Sequence, residues 1–133
     1  MKADSKKIYY FIGIGGVGMS ALALLCLKDG YSVYGYDKIS SKITDQLVEK
    51  GIKIIFDNSV SALNELLLSA GVQVIYSAAI PNSHPQLEFY KKQGNNVVKR
   101  AEFLAKICND KKTLAVAGTH GKTTTSSILT HIF

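Results

Sequence analysis

The chain has 133 residues, 47% of them hydrophobic, and its 16 Lys and Arg against 10 Asp and Glu give a formal charge of +6. That length suits one compact domain with a real core and is too short for two complete ones. The charge would suit an anionic partner, nucleotide or nucleic acid, and does not choose between them; the lysines are scattered with no basic run interleaved with aromatics, which favours a plain solvated surface over nucleic-acid binding.

The charged start from Met1 to Lys7 runs straight into Ile8-Tyr9-Tyr10-Phe11-Ile12, without the apolar core of a signal peptide. No apolar run approaches the roughly 20 residues a membrane helix needs, so the expectation is a cytoplasmic protein with no membrane partner. Cys26 and Cys108 lack any metal or redox spacing and read as buried reduced thiols.

In chain order, short β-branched and aromatic runs alternate with helical patterns joined by glycine, the mark of a βαβ series and a parallel sheet. The first strand is expected at Ile8 to Ile12, then a glycine turn, then a helix from Gly18 to Asp29 with Gly30 as its left-handed cap. Ser32 to Tyr36 reads as the second strand, Lys42 to Lys50 as a helix ended by Gly51, and Lys53 to Phe56 as a third strand. Ser61 to Ser69, with Leu63, Leu66 and Leu67 on one face, predicts a helix, and Val72 to Tyr76 a fourth strand. Ser83-His84-Pro85-Gln86 opens a helix that Gly94 closes, with Ser83 and Gln86 as a capping box and Pro85 in the first turn. Asn96 to Lys99 is a fifth strand and Ala101 to Cys108 a helix with Phe103, Leu104 and Ile107 as its apolar stripe. Asn109-Asp110-Lys111-Lys112 then breaks the pattern. The expected organisation is a three-layer α/β domain over residues 1–108, Rossmann-like with helices on both faces of its sheet, followed by residues 109–133 as the start of a second unit: strand Thr113 to Ala117, a loop, and a helix from Lys122.

Two loops carry chemistry. Gly13-Ile14-Gly15-Gly16-Val17-Gly18 fits G-x-G-x-x-G between a predicted strand and a predicted helix. Gly13 permits the tight turn, Gly15 lets the backbone approach a pyrophosphate, and Gly18 lets the helix pack on the strand. The free amides and the helix dipole then face an anion. Asp37 ends the second strand about twenty residues after Gly18, where an acid meets a ribose hydroxyl in dinucleotide sites. The plain alternative is a tight turn with Asp37 as a loop cap.

The second loop is Ala117-Gly118-Thr119-His120-Gly121-Lys122-Thr123-Thr124. Its Gly121-Lys122-Thr123 matches the end of a Walker A motif, although Val116 stands where the full pattern has glycine. The parts remain: loop amides for phosphates, Lys122 for the β- and γ-phosphates, and the Thr123 hydroxyl for Mg²⁺.

A dinucleotide-type loop followed about a hundred residues later by Gly118-Thr119-His120-Gly121-Lys122-Thr123-Thr124-Thr125 resembles the Mur ligases. Within that family, Gly13 to Ser20, Ser77-Ala78-Ala79-Ile80 and Arg100-Ala101-Glu102-Phe103-Leu104 look like the member that adds alanine. The resemblance implies an ATP- and Mg²⁺-dependent ligase acting on UDP-N-acetylmuramate and L-alanine. It implies that Gly15, Gly16, Val17, Gly18, Met19 and Ser20 hold the UDP diphosphate, that Asp37 contacts the uridine end, and that Ser77 lines the same crevice. Gly118, Thr119, His120, Gly121, Lys122, Thr123 and Thr124 would form the ATP loop, with Lys122 and Thr123 acting in catalysis. The chain departs from the family's usual pattern at His84-Pro85-Gln86, in place of Asn-Pro-Glu, and at Tyr36, in place of a small hydroxyl residue. The rival readings are the related ligase that attaches a whole peptide, a nicotinamide-dependent oxidoreductase, which leaves Gly121-Lys122-Thr123 unexplained, and a freestanding nucleotide-binding module.

Overall fold

The computed structural model describes residues 7–110. Its elements run β1 (Ile8–Ile12), α1 (Val17–Lys28), β2 (Ser32–Tyr36), α2 (Lys42–Glu49), β3 (Lys53–Ile55), a short 3₁₀ turn (Val60–Ala62), β4 (Gln73–Tyr76), α3 (Pro85–Gln93), β5 (Val97–Lys99) and α4 (Arg100–Asp110). The strands form one sheet in the order β3-β2-β1-β4-β5, and each of the four pairings is parallel. The chain divides into compact units after Arg100, with most of α4 in the second. The Walker-type loop at 118–124 lies outside the described residues.

Strand alternation sorts the side chains onto two faces. Tyr10, Ile12, Tyr36, Val74 and Tyr76 share a core with Leu63, Leu67, Leu87 and Tyr90, so α3 and the 60–71 segment cover one face. On the other face α1 and α2 pack together and against β1, β2 and β3, burying Met19, Leu22, Ala23, Cys26 and Leu47. This is the expected three-layer α/β architecture. Gly30 and Gly94 end α1 and α3 in the left-handed region, at φ +96° and +92°.

Two local expectations fail. Residues 61–69 form no α-helix: after the 3₁₀ turn the chain proceeds in turns. Asn64 Oδ1 accepts from the Leu67 amide at 2.9 Å, the bond an N-cap makes, so a fresh turn starts at Asn64 where the expected helix would have run through it. Leu63 and Leu67 are still buried, whereas Leu66 is 56% exposed. The capping box expected at Ser83 and Gln86 is also absent. The N-cap of α3 is His84, with no side-chain cap bond, and Pro85 takes the first helical position. The capping box that does form is on α2, where Ser41 and Thr44 bond each other's amides. Threonine in place of Glu or Gln hides it from the usual pattern.

Candidate functional site

The register places the candidate residues in a single row. Ile55, Tyr36, Ile12, Tyr76 and Lys99 are neighbours across the sheet. The residues that follow them, Phe56, Asp37, Gly13, Ser77 and Arg100, therefore emerge together at the carboxyl edge. From β1 the chain builds outward through β2 and β3, then returns to place β4 on the other side of β1. The crevice of an open α/β sheet lies at that switch point.

Gly13 turns the chain at φ +92°, a conformation that costs an ordinary residue energy. The Gly13 and Ile14 amides both donate to the Tyr36 carbonyl, at 2.8 and 2.9 Å, which ties the loop to β2. The Gly15 amide donates to Asp37 Oδ2 at 2.7 Å, and a Cβ on Gly15 would stand 2.6 Å from that oxygen. The Gly16 amide donates to the Gly13 carbonyl, and the Ser20 amide to the Gly16 carbonyl. Of the loop expected to hold an anion, the amides of Gly15, Gly16 and Ser20 are thus engaged within the protein. Val17, Gly18 and Met19 open α1, where helix geometry supplies no backbone acceptor. Their three amides stand at the positive end of the helix dipole, the arrangement that favours an anion. Met19 contributes only backbone, because its side chain is buried. The nearest outside neighbour of Gly18 is the Arg100 guanidinium, 3.1 Å from where a Cβ would be.

Beside the loop is a cavity of about 890 Å³ whose lining includes Gly13, Gly16, Tyr36, Asp37, Ser77 and His84. Asp37 and Ser77, singled out from sequence, do face it together. Asp37 is turned onto the loop, with Oδ1 accepting from the Ile39 amide at 3.3 Å. Sequence reasoning missed the far wall: Phe56, Asp57 and Asn58 from the β3 exit, and Ile80, Pro81 and His84 before α3.

The two departures from the family's usual pattern meet here. The Tyr36 and His84 rings stand edge to face with centroids 4.8 Å apart. Burial, with Asp37 and Asp57 nearby, raises the Tyr36 hydroxyl pKa, and burial lowers that of His84. Gln86, fully buried, accepts from the Tyr10 hydroxyl at 2.6 Å and donates to the carbonyls of Asp57 and Ser59, both at 2.9 Å. It fixes the far wall to β1 and α3. The Ser59 amide donates to Asp57 Oδ1 and holds that carboxyl below its ordinary range.

A glycine loop on a parallel sheet is shared by many unrelated proteins, so the assignment rests on comparison. The model of the Mur ligase family, catalytic domain, matches residues 8–112. The chain belongs to the Mur ligase family. It is 44% identical over 128 residues to a UDP-N-acetylmuramate–L-alanine ligase of Christiangramia forsetii, covering 95% of this chain and 28% of that one. It is 48% identical over 123 residues to the enzyme of the same name from Flavobacterium psychrophilum, covering 92% of this chain and 28% of that one. Among solved structures, the UDP-N-acetylmuramate-alanine ligase MurC of Thermotoga maritima superposes with a TM-score of 0.71 at 27% identity, over 80% of this chain and 23% of that one. The chain therefore spans little more than a quarter of the length of these curated relatives. Among the described residues of this Mur ligase domain, no helix is long and apolar enough to cross a membrane.

Proposed function

We propose that residues 7–110 bind the uridine diphosphate end of UDP-N-acetylmuramate, and that the protein is an ATP- and Mg²⁺-dependent ligase joining L-alanine to that substrate. The likeness to relatives named for that reaction, over 95% of this chain, carries the reading. The geometry supports it. Val17, Gly18 and Met19 offer amides to a diphosphate, Asp37 stands one step along the crevice where a ribose follows, and the cavity continues to Phe56 and His84 with room for a base. The Asp37 carboxylate keeps the Gly15 amide, so a diphosphate takes the first turn of α1 rather than the whole loop. Lys122 and Thr123 are proposed to serve ATP and Mg²⁺, and the sequence motif is the support for those roles.

The test is an amide-resolved NMR titration of this chain with UDP-N-acetylmuramate and UDP. The Val17, Gly18 and Met19 amides are expected to shift, followed by Asp37 and Ser77. If NAD shifts them and uridine nucleotides do not, the nicotinamide reading replaces this one.

A further inference from the structure

The cavity lining holds a side chain that the fold leaves without hydrogen-bond partners. His84 is only 7% exposed, and neither Nδ1 nor Nε2 has a hydrogen-bond partner. It occupies the N-cap of α3 yet its side chain caps nothing. Burial keeps the ring neutral near pH 7, so it offers one N–H donor and one bare nitrogen. Buried polar atoms without partners are costly, and an apolar ring of similar size would fill the place beside Tyr36 without that cost. Packing alone does not account for an imidazole here.

Its position says what it could meet. The cavity lining takes in Gly13, Gly16 and Asp37, which the Gly15 amide ties to the glycine loop, together with Phe56, Asp57 and Asn58 from the exit of β3. A nucleotide with its diphosphate on Val17 to Met19 and its ribose at Asp37 brings its base toward Tyr36, Phe56 and His84. Phe56, 43% exposed in this wall, offers a face on which a base can stack. We infer that His84 is a base-recognising residue of the cavity, its imidazole swinging out from its seat against Tyr36 to hydrogen-bond the polar edge of the bound nucleotide's base. The inference rests on the uridine diphosphate reading above. Both nitrogens are covered in the free protein, so the ring must turn to serve. The free protein carries the cost of the unpaired imidazole, and the ligand relieves it.

Stability and binding should consequently move in opposite directions in His84→Phe. Calorimetry with UDP and with inorganic pyrophosphate, thermal denaturation, and ¹⁵N NMR of the wild-type imidazole test this on the 133-residue chain. UDP is expected to bind about tenfold more weakly to the variant, the loss of one hydrogen bond, with pyrophosphate affinity unchanged. The melting temperature is expected to hold or rise, and the His84 nitrogens to shift with UDP but not with pyrophosphate. Equal losses for both ligands, unchanged UDP affinity, or a silent imidazole in a wild-type chain that binds UDP would each overturn the inference and leave the uridine reading standing. Should the variant fail to fold, the wild-type imidazole shifts decide alone. A wild-type chain that ignores UDP while ADP moves the His84 nitrogens would overturn the uridine reading and keep His84 as the base contact; a chain that binds neither nucleotide overturns both.

Discussion

Gln86→Glu changes one atom's chemistry and almost no volume, so its consequence can be worked from three hydrogen bonds. The amide donates twice, to the Asp57 and Ser59 carbonyls, and accepts once, from the Tyr10 hydroxyl. A carboxylate can still accept from Tyr10, but it turns an oxygen toward two carbonyl oxygens that have lost their donor, in a site with no solvent access. A protonated Glu has one O–H and restores only one of the two bonds. Two lost bonds and a buried charge without a partner give a cost of about 2 to 4 kcal/mol at pH 7, limited by proton uptake. For a domain of this size that is roughly 10 to 25 °C in melting temperature.

The pH dependence carries a definite sign. Burial and the facing carbonyls raise the folded-state pKa of the introduced Glu above its unfolded value of about 4.3. Between those two values the folded state holds a proton the unfolded state has released, so stability falls as pH rises. The deficit against wild type should be smallest near pH 4, grow through the window above it, and level off beyond the folded pKa. Gln86→Leu, with nothing to titrate, should lose stability without that slope. Urea denaturation of the three proteins between pH 4 and 8 measures both effects. A Glu variant with wild-type stability, or with a deficit that ignores pH, would refute the strap assigned to Gln86.

Asp37→Ala is expected to weaken UDP binding by about 1 to 3 kcal/mol, the loss of one side of a charge-assisted bond, while pyrophosphate binds no more weakly because the Gly15 amide is released; unchanged UDP affinity in calorimetry would reduce Asp37 to a loop anchor. Gly35→Ala should cost about 1 to 3 kcal/mol in urea denaturation, the range for overpacking, since its Cβ would lie 2.3 Å from Ile14 Cδ1 and 2.8 Å from Ile14 Cβ. An unaltered midpoint would mean that Ile14 moves aside freely. Cys26 is buried and its thiol is pushed up to about 12, so alkylation at pH 8 followed by peptide mapping should leave it unlabelled until the chain is unfolded. Rapid labelling of Cys26 in the native protein would show that α1 opens.

The near side of the site was legible because its chemistry is local. Gly13 to Gly18 and Asp37 sit at strand ends, and strand ends follow from periodicity and turn residues within a few positions of each other. Ser77 could be placed beside them only through the family resemblance. Nothing in the local pattern says that β4 pairs with β1 rather than continuing beyond β3, which is a choice made by burial across the whole sheet. The helix expected over 61–69 failed for a related reason: the leucine spacing reported burial correctly, with Leu63 and Leu67 in the core, but Asn64 decided the backbone.

The far wall was illegible because each residue in it has a cheaper local meaning. Gln86 after Ser83 matches a capping box in sequence, and only the fold brings Tyr10 and the 57–59 carbonyls within reach, displacing that use. His84 at a helix start matches a cap as well, yet its side chain caps nothing. Two residues that look like local punctuation thus turn out to serve contacts across the chain, and they fall where the sequence departs from its family's habit. The coincidence has a physical basis. Once Gln86 stands in for an acid, its two donors can hold the 57–59 loop against α3, closing a wall beside the broad Tyr36 ring that a small hydroxyl residue would leave open. His84 then occupies the space between wall and ring. The triple change of Tyr36 to Ser, His84 to Asn and Gln86 to Glu should therefore cost less stability than those three single changes added together, because Tyr36 and His84 are in ring contact and Gln86 holds the loop beside them. Urea denaturation of the three single variants and the triple variant decides it, and simple additivity would mean that the three substitutions are independent.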